Sequence, residues 1–111
     1  MLKVILIVLM MLHGFIHLIG FTKAFNLAPV TQLTQVVSKP NGILWILATL
    51  LFVSAALLLF LQKDAWWIMA VMAIFVSQYL IITTWQDAKW GTVANVFILI
   101  ATLLQFKYPF R

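Results

Sequence analysis

Two histidines lie four residues apart in the apolar stretch HGFIHLIGF, residues 13–21. On a helix this spacing is just over one turn, so His13 and His17 share a face. Histidine titrates near neutral pH, and a titratable group in apolar surroundings is costly and often functional. The pair could therefore relay protons, bind a metal ion, or hydrogen-bond the polar head of a hydrophobic ligand. The alternative is a neutral, structural pair that is satisfied by neighbouring amides.

Metal binding by this pair would need more ligands than the sequence offers nearby. Histidines at i and i+4 can share one ion, but zinc takes one or two further ligands. The chain has no cysteine and no glutamate, and Asp64 and Asp87 fall between the apolar runs. We therefore expect no metal site, although His13 and His17 are the side chains that could begin one, and no catalytic residue is assigned.

Composition places the histidines in a membrane. The 111-residue chain is 66% hydrophobic and 8% charged, whereas soluble domains carry charge on about a quarter of their residues. This is too little polar surface for a water-facing globule, so we predict one transmembrane domain over residues 1–111, embedded in the lipid bilayer. The net charge of +5 comes from basic residues scattered singly at the ends of apolar runs. That pattern suits lipid headgroups rather than nucleic acid.

Four apolar runs predict an all-α fold, an integral membrane four-helix bundle with up-down-up-down topology. The spans are about 2–22, 43–61, 65–84 and 92–106. The short link 62–64 makes the middle two helices antiparallel neighbours, and Asp64 is expected to cap the third helix. Tyr108 and Phe110 are expected to carry the short fourth run to the far interface.

The connection after the first run is predicted to form a short interfacial helix over residues 29–39. Pro29 would occupy its first turn, and residues 40–42 would end it. One side of this helix would be apolar, so it would lie flat at the membrane interface or cover the mouth of the bundle. The apolar positions are Val30, Leu33, Val36 and Val37.

Every predicted span brings a hydrogen-bonding residue to the same half of the bilayer, when depth is counted at about 1.5 Å per residue. The candidate ligand-binding residues are His13, His17, Gln78, Asn95, Thr49 and Ser77. Asn95 is the amide closest in depth to His17, so it is expected to fix an imidazole tautomer. The simpler alternative is that the hydroxyls and amides hold helices together, at about 0.6 kcal/mol per bond.

The number of basic residues differs little between the two sides of the predicted bundle, so it indicates the orientation by a small margin. Lys3, Lys63, Lys107 and Arg111 would lie on one side of the membrane, and Lys23, Lys39 and Lys89 on the other. Four against three favours cytoplasmic termini, and dual insertion stays open.

The segment HGFIHLIGFTKAF resembles the start of DoxX-like small bacterial membrane proteins, in which a glycine-spaced first helix is followed by a lysine and an aromatic or aliphatic residue. The matching positions are Gly14, Gly20, Lys23 and Phe25. The resemblance implies a multi-pass protein of the bacterial inner membrane. It also implies a quinone-facing or accessory subunit, since some members are associated with quinone-linked oxidoreductase assemblies. His13 and His17 are not part of the general pattern, so it assigns them no role.

The leading functional prediction is a non-enzymatic or accessory membrane protein that binds a quinone or lipid at the histidines. One alternative is a small proton-coupled transporter. Small multidrug-resistance proteins have four helices and a similar length and often work as dimers, but they need a first-helix glutamate that is absent here. Another is a purely structural subunit of a homodimer or larger membrane complex. Loss of ligand on histidine protonation would distinguish a proton-coupled carrier from a passive binder.

Overall fold

The computed structural model describes residues 1–107, so Tyr108, Phe110 and Arg111 lie outside the described residues. Within residues 1–107 the fold is all-helical, without a strand. The helices are α1 (Leu2–Ile16), α2 (Leu18–Ala24), α3 (Lys39–Phe60), α4 (Trp66–Thr83), α5 (Trp85–Ala88) and α6 (Gly91–Lys107).

Three apolar helical stretches in the described chain are long enough to cross a membrane. They are Leu2–Ala24, Lys39–Phe60 and Trp66–Thr83, with mean hydropathies of 2.4, 2.7 and 1.8. The first stretch joins α1 and α2 across a turn at His17. α6 is also apolar, over Gly91–Gln105, but it is shorter. These lengths and compositions support a membrane protein with several transmembrane helices.

The long helices pack side by side. α1 contacts α3 and α6, and α4 also contacts α3 and α6, while α2 continues along α3. α1 touches α6 less closely than it touches α3. The less tightly packed α1–α6 side is where a cavity opens, as described below.

The interior divides into two halves. The first, which we call the apolar half, is a continuous core of Leu6, Met10, Leu51, Phe52, Ala55, Ala56, Leu59, Trp66, Ala70, Ala73, Ile98 and Ala101. The second, which we call the histidine half, surrounds His13 and His17 and includes the buried cluster of Ala24, Leu33, Val37, Trp45, Ala48 and Leu80. Phe52 lies at their boundary, since its ring contacts both imidazoles.

The predicted interfacial helix is wrong: residues 25–38 form an irregular connection rather than a helix. The segment is rich in β-branched residues, which lose rotamer freedom in a helix. Its backbone groups also find partners elsewhere, because the amides of Thr34 and Gln35 donate to Asp87. Pro40 does not end a helix but lies in the first turn of α3, where Ser38 accepts a hydrogen bond from the Asn41 amide.

The predicted cap at Asp64 is also wrong. α4 begins at Trp66 with Ala65 as its N-cap residue, and no side chain accepts a capping hydrogen bond there. Backbone carbonyls do so instead, because the Trp66 amide donates to Lys63 and the Ile68 amide donates to Ala65. The tight turn between α3 and α4 thus leaves Asp64 exposed to solvent.

Candidate functional site

A local change in backbone hydrogen bonding at His17 begins the site. The His17 amide donates to the carbonyl of Gly14, three residues back, at 3.1 Å. In a regular α-helix it would donate to the carbonyl of His13, four residues back. The His13 carbonyl instead accepts from Nδ1 of the His17 ring at 2.7 Å. The turn between α1 and α2 therefore supplies the acceptor that orients the second histidine.

The two histidines belong to a closed loop of hydrogen bonds that joins α1, α4 and α6. Nε2 of His13 lies 2.9 Å from Oδ1 of Asn95, and Nδ2 of Asn95 lies 3.0 Å from Oγ of Ser77. Oγ of Ser77 lies 2.7 Å from Nε2 of His17, whose Nδ1 returns to the His13 carbonyl. The four residues are 0–6% exposed, so the loop is shielded from solvent and lipid.

The backbone carbonyl of His13 fixes the direction of this loop for neutral imidazoles. A carbonyl only accepts, so Nδ1 of His17 carries the proton and its Nε2 accepts from the Ser77 hydroxyl. Ser77 must then accept from the amide of Asn95, whose oxygen accepts from Nε2–H of His13. The two histidines are therefore opposite tautomers, with the proton on Nε2 in His13 and on Nδ1 in His17.

Gln78 extends the loop, whereas Thr49 lies apart from it. Asn95 donates to Oε1 of Gln78 at 3.1 Å, and Nε2 of Gln78 donates to the hydroxyl of Thr92 at 3.0 Å. The Thr49 hydroxyl donates to the Gly14 carbonyl at 2.8 Å and to the Trp45 carbonyl at 3.3 Å. Thr49 thus joins α3 to α1 without touching either imidazole.

Aromatic rings enclose the pair. The imidazoles meet edge to face, with centroids 4.7 Å apart, and the His17 ring lies 5.2 Å from the Trp45 ring. Trp45 in turn packs directly on Gly20, where an added Cβ would come within 2.0–2.3 Å of indole carbons. Gly20 is therefore required to let the indole reach the His17 ring.

A cavity of about 430 Å³ opens beside the histidines. Its lining is mostly apolar. The lining residues are His13, Ile16, His17, Ile19, Gln32, Leu33, Trp45, Ile81, Asp87, Ala88, Trp90, Gly91 and Ala94. Cavities of this size and character accommodate small molecules. Among the enclosed side-chain polar atoms of the described residues, only Oε1 of Gln35 and Nε1 of Trp45 lack a hydrogen-bond partner.

The irregular connection 25–38 forms one wall of the cavity and is held in place by polar contacts. Asp87 accepts from the Thr34 amide at 2.8 Å, the Thr34 hydroxyl at 2.9 Å and the Gln35 amide at 3.3 Å. The Lys23 ammonium donates to the Leu33 carbonyl. The Thr34 amide, followed by the Thr34 hydroxyl, holds the pKa of Asp87 below its ordinary 3.8.

The structure sorts the candidate residues into two layers. His13 and His17 line the cavity. Asn95, Ser77 and Gln78 lie behind them in the hydrogen-bond network, and Thr49 lies at a helix contact. Asn95 accepts a hydrogen bond from Nε2–H of His13, so the imidazole that it orients is that of His13. Binding of a ligand by this set stays a prediction.

Sequence reasoning missed the loop residues that complete the cavity wall. Leu33, Trp90 and Gly91 line the cavity together with Asp87. The signal available was the segment WQDAKWG, which places the carboxylate of Asp87 between two tryptophans at the same end as the histidines. The three or more His, Asp, Glu or Cys side chains that a metal site would need do not come together anywhere in residues 1–107.

Comparison with known proteins adds no family or fold: no protein-family model, no curated protein and no solved structure matches this chain.

Proposed function

We propose that this chain is a small membrane protein that binds a hydrophobic small molecule, a quinone or a lipid, with its polar head at His13. The observation that carries the proposal is the cavity of about 430 Å³, which is apolar along most of its lining and ends at two histidines. A site of this kind gains affinity from apolar contact and selectivity from a few fixed polar groups.

The fixed orientation of the two imidazoles supports ligand binding. Both imidazoles are held on their far sides by Asn95 and Ser77, so the rings are oriented before any ligand arrives. Preorganisation of this kind lowers the entropic cost of binding.

Native mass spectrometry of the protein, extracted in mild detergent without added ligand, tests the proposal. We expect a bound hydrophobic small molecule in the natural chain and its loss in Ala94→Phe, which places a ring in the cavity. Val93→Phe is the matched control, since Val93 is on the same helix but is 62% exposed on the outer surface. No bound mass in the natural chain, or equal retention in Ala94→Phe, would contradict the proposal.

The proposal includes a four-helix, up-down-up-down topology in the inner membrane of a bacterium, with cytoplasmic termini. α6 has 17 residues, or about 25 Å at 1.5 Å per residue, close to the roughly 30 Å of hydrocarbon. The cysteine-free chain suits single-cysteine labelling. Cysteines at Lys3 and Lys63 should be labelled from the cytoplasm, and cysteines at Lys23 and Lys89 from the opposite side.

Membership of the DoxX-like group, with an accessory role beside a membrane oxidoreductase, completes the proposal. Three of the positions that carry the resemblance make close packing contacts. Gly14 lies against Phe52, Gly20 lies against Trp45, and Phe25 lies against Gly42. The fourth position, Lys23, holds the cavity wall through the Leu33 carbonyl. Copurification of a flavin- or haem-containing oxidoreductase with the tagged chain from its native membrane would support this role, and its isolation alone would argue against it.

A further inference from the structure

The ring of His13 presents a lone pair, not an N–H, to the cavity. Its Nε2 carries the proton and donates to Asn95, so a neutral His13 has an unprotonated Nδ1. The residues that the structure describes offer no hydrogen bond to this Nδ1. Unlike Oε1 of Gln35 and Nε1 of Trp45, this nitrogen is not fully enclosed by neighbouring atoms. This nitrogen is therefore accessible, and His13 is one of the residues that line the cavity.

Other polar side chains of the lining form no hydrogen bond with this lone pair among the described residues, although Gln32, Trp45 and Trp90 carry N–H groups. His17 uses Nδ1 on the His13 carbonyl and Nε2 on Ser77. The carboxylate of Asp87 only accepts, and it is occupied by Thr34 and Gln35. A ligand carbonyl next to Nδ1 of His13 would thus place two acceptors against each other, which is unfavourable in a low-dielectric site.

The edge of the His13 ring lies close to Gly91. A Cβ built on Gly91 would lie 3.5 Å from Cε1 of His13, the carbon between the two ring nitrogens. Gly91 itself lines the cavity, as does Trp90. The absence of a side chain here lets the backbone at the start of α6 pack close to the histidine edge, so that His13 and Trp90 line the same cavity.

From this geometry we infer that the cavity selects a hydrophobic aromatic molecule that bears a hydroxyl, such as the reduced quinol form of a quinone, which donates its O–H to Nδ1 of His13. The inference rests on the proposed function and narrows its ligand to a hydrogen-bond donor. The quinone carbonyl and a lipid ester carbonyl are disfavoured because both only accept.

A pair of probes in which a methyl group replaces the hydroxyl hydrogen tests the inference: 1-naphthol and 1-methoxynaphthalene, titrated into detergent-solubilised protein and followed by calorimetry. The natural chain should bind the naphthol at least about tenfold more tightly than the ether, because the ether leaves Nδ1 unpaired. His13→Leu removes Nδ1 and leaves no acceptor in its place, and a melting curve checks that the variant stays folded. In that variant the ratio should fall to about one through loss of naphthol affinity.

Histidine-labelled protein gives a second readout that does not depend on affinity. The nitrogen spectrum should show His13 protonated at Nε2 and His17 protonated at Nδ1. Addition of the naphthol should move the Nδ1 signal of His13 and leave both His17 signals in place. His13 protonated at Nδ1 in the free protein would overturn the inference.

The outcomes separate the inference from the proposed function. Equal binding of both probes, abolished by Ala94→Phe, would overturn the hydroxyl preference and leave the binding cavity in place. Tighter binding of 1,4-naphthoquinone than of the naphthol would do the same. Failure of all three probes, together with no bound mass in the purified protein, would overturn both.

Discussion

The two halves of the interior solve the same packing problem by different means. The apolar half brings helices together with alanines, and Ala55, Ala56, Ala70 and Ala73 are at most 1% exposed. The histidine half uses glycines at its closest contacts and directional hydrogen bonds between helices. In the apolar half, the buried hydroxyl of Thr102 bonds the Ile98 carbonyl of its own helix. We therefore expect a conservative substitution to cost less stability in the apolar half, whereas the hydrogen-bond loop of the histidine half needs each of its residues.

Gly20→Ala should produce the largest effect, because it breaks the closest contact of the histidine half. The new methyl would lie within 2.3 Å of indole carbons of the buried Trp45. We expect a loss of about 3 kcal/mol in the free energy of unfolding, measured by titration with a denaturing detergent. The sign of this change in the free energy of unfolding is the test, because a glycine-to-alanine substitution in a helix otherwise stabilises by up to about 1 kcal/mol.

Gly91→Ala is the matched control for this change. Its Cβ would meet Cδ1 of Ile81 at 2.8 Å, the far end of a flexible side chain that can move aside. We expect a change of less than about 1 kcal/mol in either direction. Equal losses of unfolding free energy in Gly20→Ala and Gly91→Ala would contradict the prediction that the Gly20–Trp45 contact is the more costly one to disrupt.

Two substitutions on α6 compare the stability contributions of the two halves. Asn95→Leu changes the histidine half, and Thr102→Val changes the apolar half. Removal of the Asn95 amide leaves the His13 N–H and Oε1 of Gln78 without their partners. We expect a loss of about 2 kcal/mol, the cost of unsatisfied buried polar groups. Thr102→Val should cost less than about 0.5 kcal/mol, because its hydroxyl bonds only its own helix. Similar losses in both variants would remove the distinction between the halves.

Gln62→Gly should stabilise the chain slightly and leave the histidine half untouched. Gln62 follows α3 with a φ of 59°, a left-handed conformation that favours glycine, and the next amide, Lys63, donates to the Leu58 carbonyl. We expect a gain of about 0.5–1 kcal/mol. A loss of stability would indicate that the Gln62 side chain makes a contact that outweighs the backbone preference.

The link between Asp87 and the connection 25–38 should respond to acid. Because the pKa of Asp87 is lowered from 3.8, the bonds from Thr34 and Gln35 are intact above that pH and are lost as the pH falls through the lowered value. The amide proton shifts of both residues should titrate with a midpoint below 3.8. Thr34→Val should raise the midpoint, and Asp87→Asn should abolish the titration.

Much of the helical pattern was predictable because apolar runs of this length have few alternatives. The predicted runs 43–61 and 65–84 became α3 and α4 with shifts of one to four residues at their ends. The connection 25–38 was not predictable from its apolar spacing. Its conformation depends on Asp87, more than fifty residues away, which takes the backbone amides that a helix would have used.

Depth along the helices predicted which polar residues share a half of the membrane but not which of them touch. Rotation about each helix axis decides that Asn95 reaches His13 and that Ser77 reaches His17. The cavity wall was beyond this reasoning, since Trp90 and Asp87 come from a loop whose position depends on tertiary contacts. The change of backbone partner at His17 had no sequence signal apart from the neighbouring glycines.

The one-way hydrogen-bond loop has a consequence for proton conduction. A relay needs each member to take a proton on one side and release it on the other, but a backbone carbonyl and a carboxamide do not exchange protons in this way. The loop contains both, the carbonyl of His13 and the amide of Asn95. A proton that reaches Nδ1 of His13 therefore has no onward route through Asn95, Ser77 and His17. Among the described residues, this loop can therefore end a proton path at His13 but does not carry the proton onward.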